Sequence, residues 1–422
     1  MKNLFLLGIS LFLIFGSGSA QDLKKVRNAY EKKDWLKAKE AVDLLLTNEK
    51  EQKSWEGWFY KGMIYGQIAK SAELKSGTPD AWNQSIEAYQ KAMELDPKQA
   101  ETYMALRSYP IFDNYLEIQK EANELYNNQD YKGSLDKYKQ ANRVGRFIYN
   151  NKWALSEIDT VLFYYAGAAA MQSDNMEDAV QFFQKLCDAS VAGEGFDMCY
   201  RYVTYYYNKK GDQVSTAKYT TLGRKLYPND TYYDKLDLDN ERKNGVGPNL
   251  FAKYETVLQR ESRDYEIRFD FAAEMFNWLY MDQKATNEEK PVYFEKIVTQ
   301  LKQCIEIDSK NADAHLLMGK TYFNEAAAIQ DDLKTIKGAT PADTQKKVEL
   351  KKKMELRMNE ALPYLENALA IFEAADPESF KKDKRLKNEY KNTLYILVDA
   401  YRFLGNKEKE QYYDKKYQVL NQ

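Results

Sequence analysis

The sequence predicts an all-α fold built from repeated helical hairpins. The 422 residues include only 19 Gly and 9 Pro, a composition that favours helices throughout the chain. Gly62 lies three residues before Tyr65, and Gly319 lies three residues before Tyr322, within stretches of matching helical spacing. Self-similarity of this kind is the sequence signature of a stack of repeated units, each of which covers the apolar face of its neighbour.

The clearest unit runs from Trp58 to Pro97. Its first helix has a large residue, a small residue four positions later and an aromatic residue three positions after that. Its second helix has a small–aromatic–small series before an Asp-Pro stop. Small residues let two helices approach closely, and aromatic residues fill the space between them. The positions are Trp58, Gly62, Tyr65, Ser85, Tyr89, Ala92 and Asp96-Pro97.

This order of positions resembles the tetratricopeptide repeat. The resemblance extends over nearly all of the chain after residue 20, and it is sharp at the units that contain Gly62, Gly167 and Gly319. It implies a right-handed α-solenoid of about eight helical hairpins, in which the first helix of each hairpin lines a concave groove. It also implies a scaffolding or assembly role, and it does not identify a partner.

The predicted organisation has four parts. Residues 1–20 form a signal peptide, and residues 21–230 form an N-terminal array of hairpins. Residues 231–263 form a degenerate linker repeat, because the pattern decays there and Asn244-Gly-Val-Gly-Pro248 is the strongest break in the chain. Residues 264–422 form a C-terminal array with a long helical hairpin at 312–374, whose returning helix we expect Pro363 to kink or interrupt.

Two inserts share one local pattern. Gly77-Thr78-Pro79-Asp80 separates the helices of the clearest unit, and Gly338 to Asp343 separates the helices of the long hairpin. Gly can end a helix, Thr can cap the next one, and Pro suits the first helical position. Both inserts are therefore predicted to lengthen a hairpin without breaking the array.

The first twenty residues are typical of a secretory signal. Lys2 is followed by the apolar run Leu4 to Phe15 and by a small-residue region that ends at Ala20, before Gln21. An uncleaved membrane anchor is the alternative, but the apolar run is short for a membrane span. We expect an exported bacterial protein with no transmembrane span in the mature chain. Periplasmic, outer-membrane-associated and secreted locations all remain open, and the missing Cys after the cut disfavours a lipid anchor.

Composition argues against nucleic acid as a partner. The formal net charge is −2, with 30% of residues charged, so no broad basic surface is expected. One lysine-rich run, Lys346-Lys347 and Lys351–Lys353, is interrupted by Glu349 and Glu355. We interpret this run as a solvated helix face, in preference to a site for an anionic partner.

No catalytic, metal or cofactor pattern is present. The only histidine, His315, occupies a core position of its repeat, where a packing role is favoured over catalysis. A transition-metal site would need more clustered His and Cys, and no phosphate-binding glycine loop is found. The prediction is a chain that is not an enzyme and that needs no cofactor.

The three cysteines do not form a disulfide scaffold. Cys187 lies near the end of one predicted helix and Cys199 near the start of the next. An exported chain meets oxidising conditions, so this pair is either a disulfide bridge or two free buried thiols. The sequence leaves both outcomes open.

The predicted partner-binding groove consists of residues one place away from the packing positions on the first helices. Aromatic side chains with Arg and Lys are the types that anchor interfaces. A carboxylate clamp known from the family is not expected, because a Tyr stands where the clamp would need Asn. The groove residues are Phe59, Met63, Tyr164, Arg201, Tyr205, Lys209, Glu274, Trp278, Lys320, Phe323, Tyr395 and Arg402.

The sequence therefore predicts a non-enzymatic scaffold of the bacterial envelope that binds a protein or peptide in its concave groove. The alternative is an exported helical-repeat protein that binds carbohydrate, since 34 Tyr and 6 Trp provide many aromatic surfaces. The sequence names neither the partner nor the oligomeric state.

Overall fold

The computed structural model describes residues 17–374 and 383–420, with side chains from residue 22 onwards. Within these ranges the chain is helical and contains no strand. It divides into two compact units, 1–228 and 229–422. The predicted signal peptide lies outside the described residues, apart from the few residues at the start of the first helix.

In the described part of the first unit, five helical hairpins follow one another, with two further helices between them. The hairpins are α1 (Ser17–Glu31) with α2 (Trp35–Leu45), α4 (Trp55–Lys70) with α5 (Ala81–Leu95), α7 (Pro110–Asn127) with α8 (Tyr131–Asn150), α9 (Thr160–Gln172) with α10 (Met176–Asp188), and α11 (Asp197–Lys210) with α12 (Gln213–Leu226). The further helices are α3 (Glu49–Gln52) and α6 (Pro97–Leu106).

The second unit has four hairpins in its described part. They are α13 (Tyr232–Arg242) with α14 (Pro248–Arg260), α15 (Tyr265–Phe276) with α16 (Lys290–Ile307), α17 (Ala312–Thr335) with α18 (Pro341–Glu373), and α19 (Lys384–Phe403) with α20 (Lys407–Val419). The first of these covers the stretch read from the sequence as a degenerate linker. It is a regular hairpin, because Tyr254 is fully buried and stacks on Phe271 of the next hairpin at 5.0 Å between ring centroids.

In the hairpins with the clearest repeat pattern, a glycine lies where the two helices are in close contact. A methyl group at Gly62 would lie 2.7 Å from the ring of Tyr89, and one at Gly319 would lie 2.6 Å from the side chain of Leu365. Real carbon atoms do not approach so closely, so any larger residue would push the helices apart. The small-residue positions of the sequence pattern therefore have the predicted packing role.

A two-residue turn recurs at five hairpins. The first residue has a left-handed backbone, which reverses the chain after a helix, and the second is Asp or Asn. The side chain of this second residue accepts a hydrogen bond from a backbone N–H of the following helix. The pairs are Lys33-Asp34, Gln129-Asp130, Asp174-Asn175, Gly211-Asp212 and Gly405-Asn406.

The two inserts that share a sequence pattern differ in structure. At the long hairpin, Thr340 caps α18 in a reciprocal pair of hydrogen bonds with Asp343, as predicted. At the first insert, Thr78 is not the N-cap residue, and α5 begins at Ala81, after a 3₁₀ turn, with Asp80 at its N-cap and no side-chain cap hydrogen bond. The reason is packing, because Ala81 and Trp82 are both buried and fix where the helix begins.

Helix α18 runs without a break through Pro363. We expected a kink or a break at this position, and the expected break is wrong. The helix is continuous because Leu362 and Leu365, on either side of the proline, are both buried in the core of the second unit. Helices α17 and α18 lie within the stretch 312–374 that the sequence analysis predicts as a long hairpin.

None of the described helices combines the length and the apolar character needed to cross a lipid bilayer. The final helix, α20, is polar and buries one side chain, Tyr413. It has the solvated face expected at the end of a stack of hairpins.

Candidate partner-binding surface

Two of the predicted groove residues, Phe59 and Met63, are core residues. They are 0% and 2% exposed. The helix α6 packs against α4 on the side that would otherwise face a groove, and the ring of Tyr103 lies 5.9 Å from that of Phe59. The groove prediction for these two residues is wrong, because the residue spacing along α4 does not show that another helix packs over this face.

Trp278 is also buried, at 5% exposed, and its groove assignment is wrong for a different reason. After α15 the chain forms a π-helical turn, Asn277–Met281. A π turn adds a residue to the helical period, so side chains beyond it leave the α-helical phase assumed in the prediction. The indole packs between Tyr293, at 4.8 Å, and Phe251, at 5.6 Å.

Three further predicted residues of the second unit make internal contacts. Glu274 lies 3.8 Å from Arg242, and burial raises the pKa of its carboxyl group. Lys320 forms an ion pair with Glu389 at 2.9 Å. Phe323 is half-buried against the core of the unit. These contacts account for the three side chains without a partner protein.

The last two predicted residues of this unit, Tyr395 and Arg402, are exposed on α19. Arg402 is held by Asp399 at 2.8 Å and by Glu410 at 2.7 Å. Tyr395 is 53% exposed. Its pKa is raised by a hydrogen bond to the side chain of Asp399, so both residues share one carboxylate.

In the first unit, the predicted residues that remain accessible lie on α9 and α11. Arg201, Tyr205 and Lys209 are spaced by four residues and are all exposed on one face of α11. The Lys209 ammonium lies 5.7 Å from the centroid of the Tyr205 ring, and Arg201 pairs with Asp197 at 3.0 Å. Tyr164 of α9 is half-buried.

A connected series of aromatic rings, which we call the tyrosine ribbon, extends beyond the predicted residues. Consecutive ring centroids lie 5.3, 5.7, 5.4 and 5.4 Å apart, in edge-to-face geometry that aromatic pairs prefer. The ribbon joins α7, α8, α9 and the start of α11. Its members are, in order, Tyr131, Tyr126, Tyr165, Tyr164 and Phe196.

Tyr165 is the exposed centre of the ribbon and was missed by the sequence prediction. It is 39% exposed, and Val161, one helical turn earlier, is 58% exposed. Helix α9 contains no charged residue, although 30% of the chain is charged. An uncharged helix that exposes apolar side chains was the signal that could have identified this face.

Side chains that could bind a metal ion are not clustered among the described residues. No group of three or more His, Cys, Asp or Glu side chains could hold a metal there. His315 is buried, with its Nε2 3.0 Å from the carbonyl oxygen of Ser309, in keeping with the packing role predicted for it.

The bridge considered between Cys187 and Cys199 is not formed. Both are buried free thiols, as is Cys304. Burial raises the pKa of each thiol, to about 12 for Cys199 and Cys304. A thiol with such a pKa stays protonated at neutral pH, which makes it a poor nucleophile.

No protein-family model matches the sequence, and neither does any curated protein. Similar solved structures include the TPR domain of P58(IPK), at 11% identity and a TM-score of 0.26, covering 90% of this chain and 99% of that one. Yeast Tom70 has 9% identity and a TM-score of 0.26, covering 96% and 95%.

A third structure, the TPR2AB domain of yeast Sti1 in complex with pHSP90, has 13% identity and a TM-score of 0.22, covering 66% of this chain and 98% of that one. Identities and scores at this level say nothing about partners. The fold is defined by the packing within the chain itself. Repeated hairpins, in which a glycine of one helix meets a large side chain of the other, give the chain a tetratricopeptide-like fold.

Proposed function

We propose that the chain is a non-enzymatic scaffold that binds a protein or peptide on the exposed face of α9 and α11. The observation that carries the proposal is the uncharged face of α9, where Val161 and Tyr165 are exposed within a chain that is otherwise rich in charge. Apolar and aromatic side chains that remain exposed on a folded domain are typical of an interaction surface.

The tyrosine ribbon supports the proposal because it is already assembled. Its rings hold one another in edge-to-face contacts, so ordering them on binding costs little conformational entropy. Tyrosine combines a large apolar face with a hydroxyl group, which suits the centre of an interface.

The proposed surface also includes the exposed side chains of α11. Lys209 has no carboxylate within ion-pair distance among the described residues, and it is placed over the exposed ring of Tyr205. An apolar area bordered by a cation has the composition of a protein-binding surface with an apolar centre and a polar rim.

A random peptide library displayed on phage, selected against the purified protein, tests the proposal. We expect enriched peptides that bind the double variant Tyr165→Ala, Tyr205→Ala at least about tenfold more weakly, since aromatic anchors dominate such interfaces. The readout is fluorescence polarisation of the enriched peptides. Tyr149→Ala is the matched control, because Tyr149 is also 39% exposed but lies on α8 outside the ribbon.

Equal binding by wild type and the double variant would contradict the proposed surface, as would an equal loss in Tyr149→Ala. Carbohydrate binding is the competing function. A glycan array hit that depends on the same tyrosines, together with no enriched peptide, would replace the peptide proposal with the carbohydrate one.

We further propose that the chain is exported. The support is the sequence of residues 1–20, with a basic start, an apolar run and a small-residue end. Cleavage after Ala20 would remove the first residues of α1, which begins at Ser17. N-terminal sequencing of the protein recovered from the envelope or medium of a bacterial host is expected to begin at Gln21, and a chain that still begins at Met1 would contradict cleavage.

A further inference from the structure

A second group of side chains surrounds Arg107, on helices of the first unit that do not carry the tyrosine ribbon. Arg107 follows the last residue of α6 and is exposed. Its guanidinium carbon lies 5.5 Å from the ring centroids of both Tyr30 and Tyr60. One of its amino groups donates a hydrogen bond to the hydroxyl of Tyr60 at 3.2 Å. Two aromatic rings therefore lie within cation–π distance of this guanidinium.

A second guanidinium approaches the same ring. The guanidinium carbon of Arg27, on α1, lies 5.9 Å from the centroid of Tyr60, and Arg27 forms an ion pair with Glu56. Among the side chains that the structure describes, Glu56 is the one carboxylate that pairs with either arginine. Within residues 22–374 and 383–420, no carboxylate lies within ion-pair distance of Arg107. The group formed by Arg27, Arg107 and Glu56 therefore has a net charge of +1.

The backbone after Arg107 is held in an unusual conformation. Ser108 and Tyr109 have φ angles of 57° and 49°, in the left-handed region that bulky residues rarely adopt. The N–H of Tyr109 donates to the carbonyl oxygen of Met104 at 2.8 Å, and its ring packs against Trp153 at 5.4 Å. Such strain persists only where the surrounding structure enforces it, and here it fixes the position of Arg107.

We propose that Arg107 and Arg27 form a binding site for an oxyanion. A guanidinium presents five N–H donors in a planar fork that matches carboxylate and phosphate oxygens. One amino group of the Arg107 guanidinium donates a hydrogen bond to Tyr60. Among the described residues, no carboxylate accepts a hydrogen bond from its other N–H groups. Both tyrosine rings and the strained turn already restrict the Arg107 side chain. Binding of an oxyanion therefore costs little side-chain conformational entropy.

Inorganic phosphate is the probe that tests this site, titrated into the protein and followed by ³¹P NMR at constant ionic strength. Wild type is expected to show saturable binding that Arg107→Gln weakens at least about tenfold, as expected for loss of charge-assisted hydrogen bonds. Arg146→Gln is the matched control, because Arg146 is exposed on α8 and has no ion pair within the described ranges. It should bind phosphate like wild type.

Competition by acetate separates the two sources of such an anion. Displacement of phosphate by acetate at similar concentrations indicates a site for carboxylates as well, whereas failure of acetate to compete indicates a site for phosphoryl or sulfuryl groups. Either result retains the oxyanion site. Arg107→Lys keeps the charge but loses the fork, and it should recover only part of the binding.

The proposal is overturned if wild type shows no saturable phosphate binding, or if Arg146→Gln lowers binding as much as Arg107→Gln. Circular dichroism of each variant measures its helical content and shows whether it is folded. If Arg107→Gln unfolds the first unit, Arg27→Gln becomes the variant that decides, since Arg27 lies on a different helix and 42% of its side chain is exposed.

Discussion

Replacement of Trp278 by Ala is expected to lower the free energy of unfolding by about 3–5 kcal/mol, the range for a buried aromatic side chain. Trp278 is 5% exposed, and its ring contacts Phe251 and Tyr293. Truncation would leave a cavity among rigid rings that cannot collapse to fill it. Urea unfolding, followed by circular dichroism, measures the loss.

Tyr395→Ala is the control for this prediction. The sequence predicts Tyr395 in the same groove, but this residue is 53% exposed. Its replacement should change stability by about 0.5 kcal/mol or less, as for most surface positions. If Trp278→Ala proves as mild as Tyr395→Ala, the burial of Trp278 through the π turn is contradicted.

Replacement of Gly167 by Val is expected to destabilise the first unit by about 2 kcal/mol. A methyl group at Gly167 would lie 2.4 Å from Cε1 of Phe183, a ring that is fully buried and cannot move aside. Overpacking costs about 1–3 kcal/mol, and the better helix propensity of the new residue returns less than about 1 kcal/mol. Hydrogen exchange measured by mass spectrometry should show faster exchange in α9 and α10.

Gly77→Ala is the matched control, because a methyl group at Gly77 would meet no atom within 4 Å. Its effect should stay within about 0.5 kcal/mol. Equal effects of Gly167→Val and Gly77→Ala would mean that α9 and α10 do not approach each other as closely as the structure shows.

Local features of this fold could be predicted because each depends on residues that are near one another in sequence. The glycine positions, the long hairpin at 312–374 and the cap at Thr340 were all read from spacing and residue type. The all-α class followed in the same way. These features require only the helical period and the hydrogen bonds at helix ends.

Features of the candidate surface could be predicted only in part. The stripe Arg201, Tyr205 and Lys209 follows from a spacing of four on one helix, and the structure confirms that all three are exposed. Tyr165 was missed because it lies next to a predicted position, and a shift of one residue along a helix turns a side chain by about 100°.

The repeated hairpins, their glycine positions and the absence of charge on α9 follow from residue type and spacing along the chain. Which aromatic side chains remain exposed depends instead on how the helices pack together. Helix α6 covers Phe59, and the π turn directs Trp278 inward. The helical spacing of residues along the sequence predicts neither feature. The same holds for Arg107, whose two tyrosine rings come from α1 and α4. Burial is set by which elements pack together, and that depends on contacts between residues far apart in the chain.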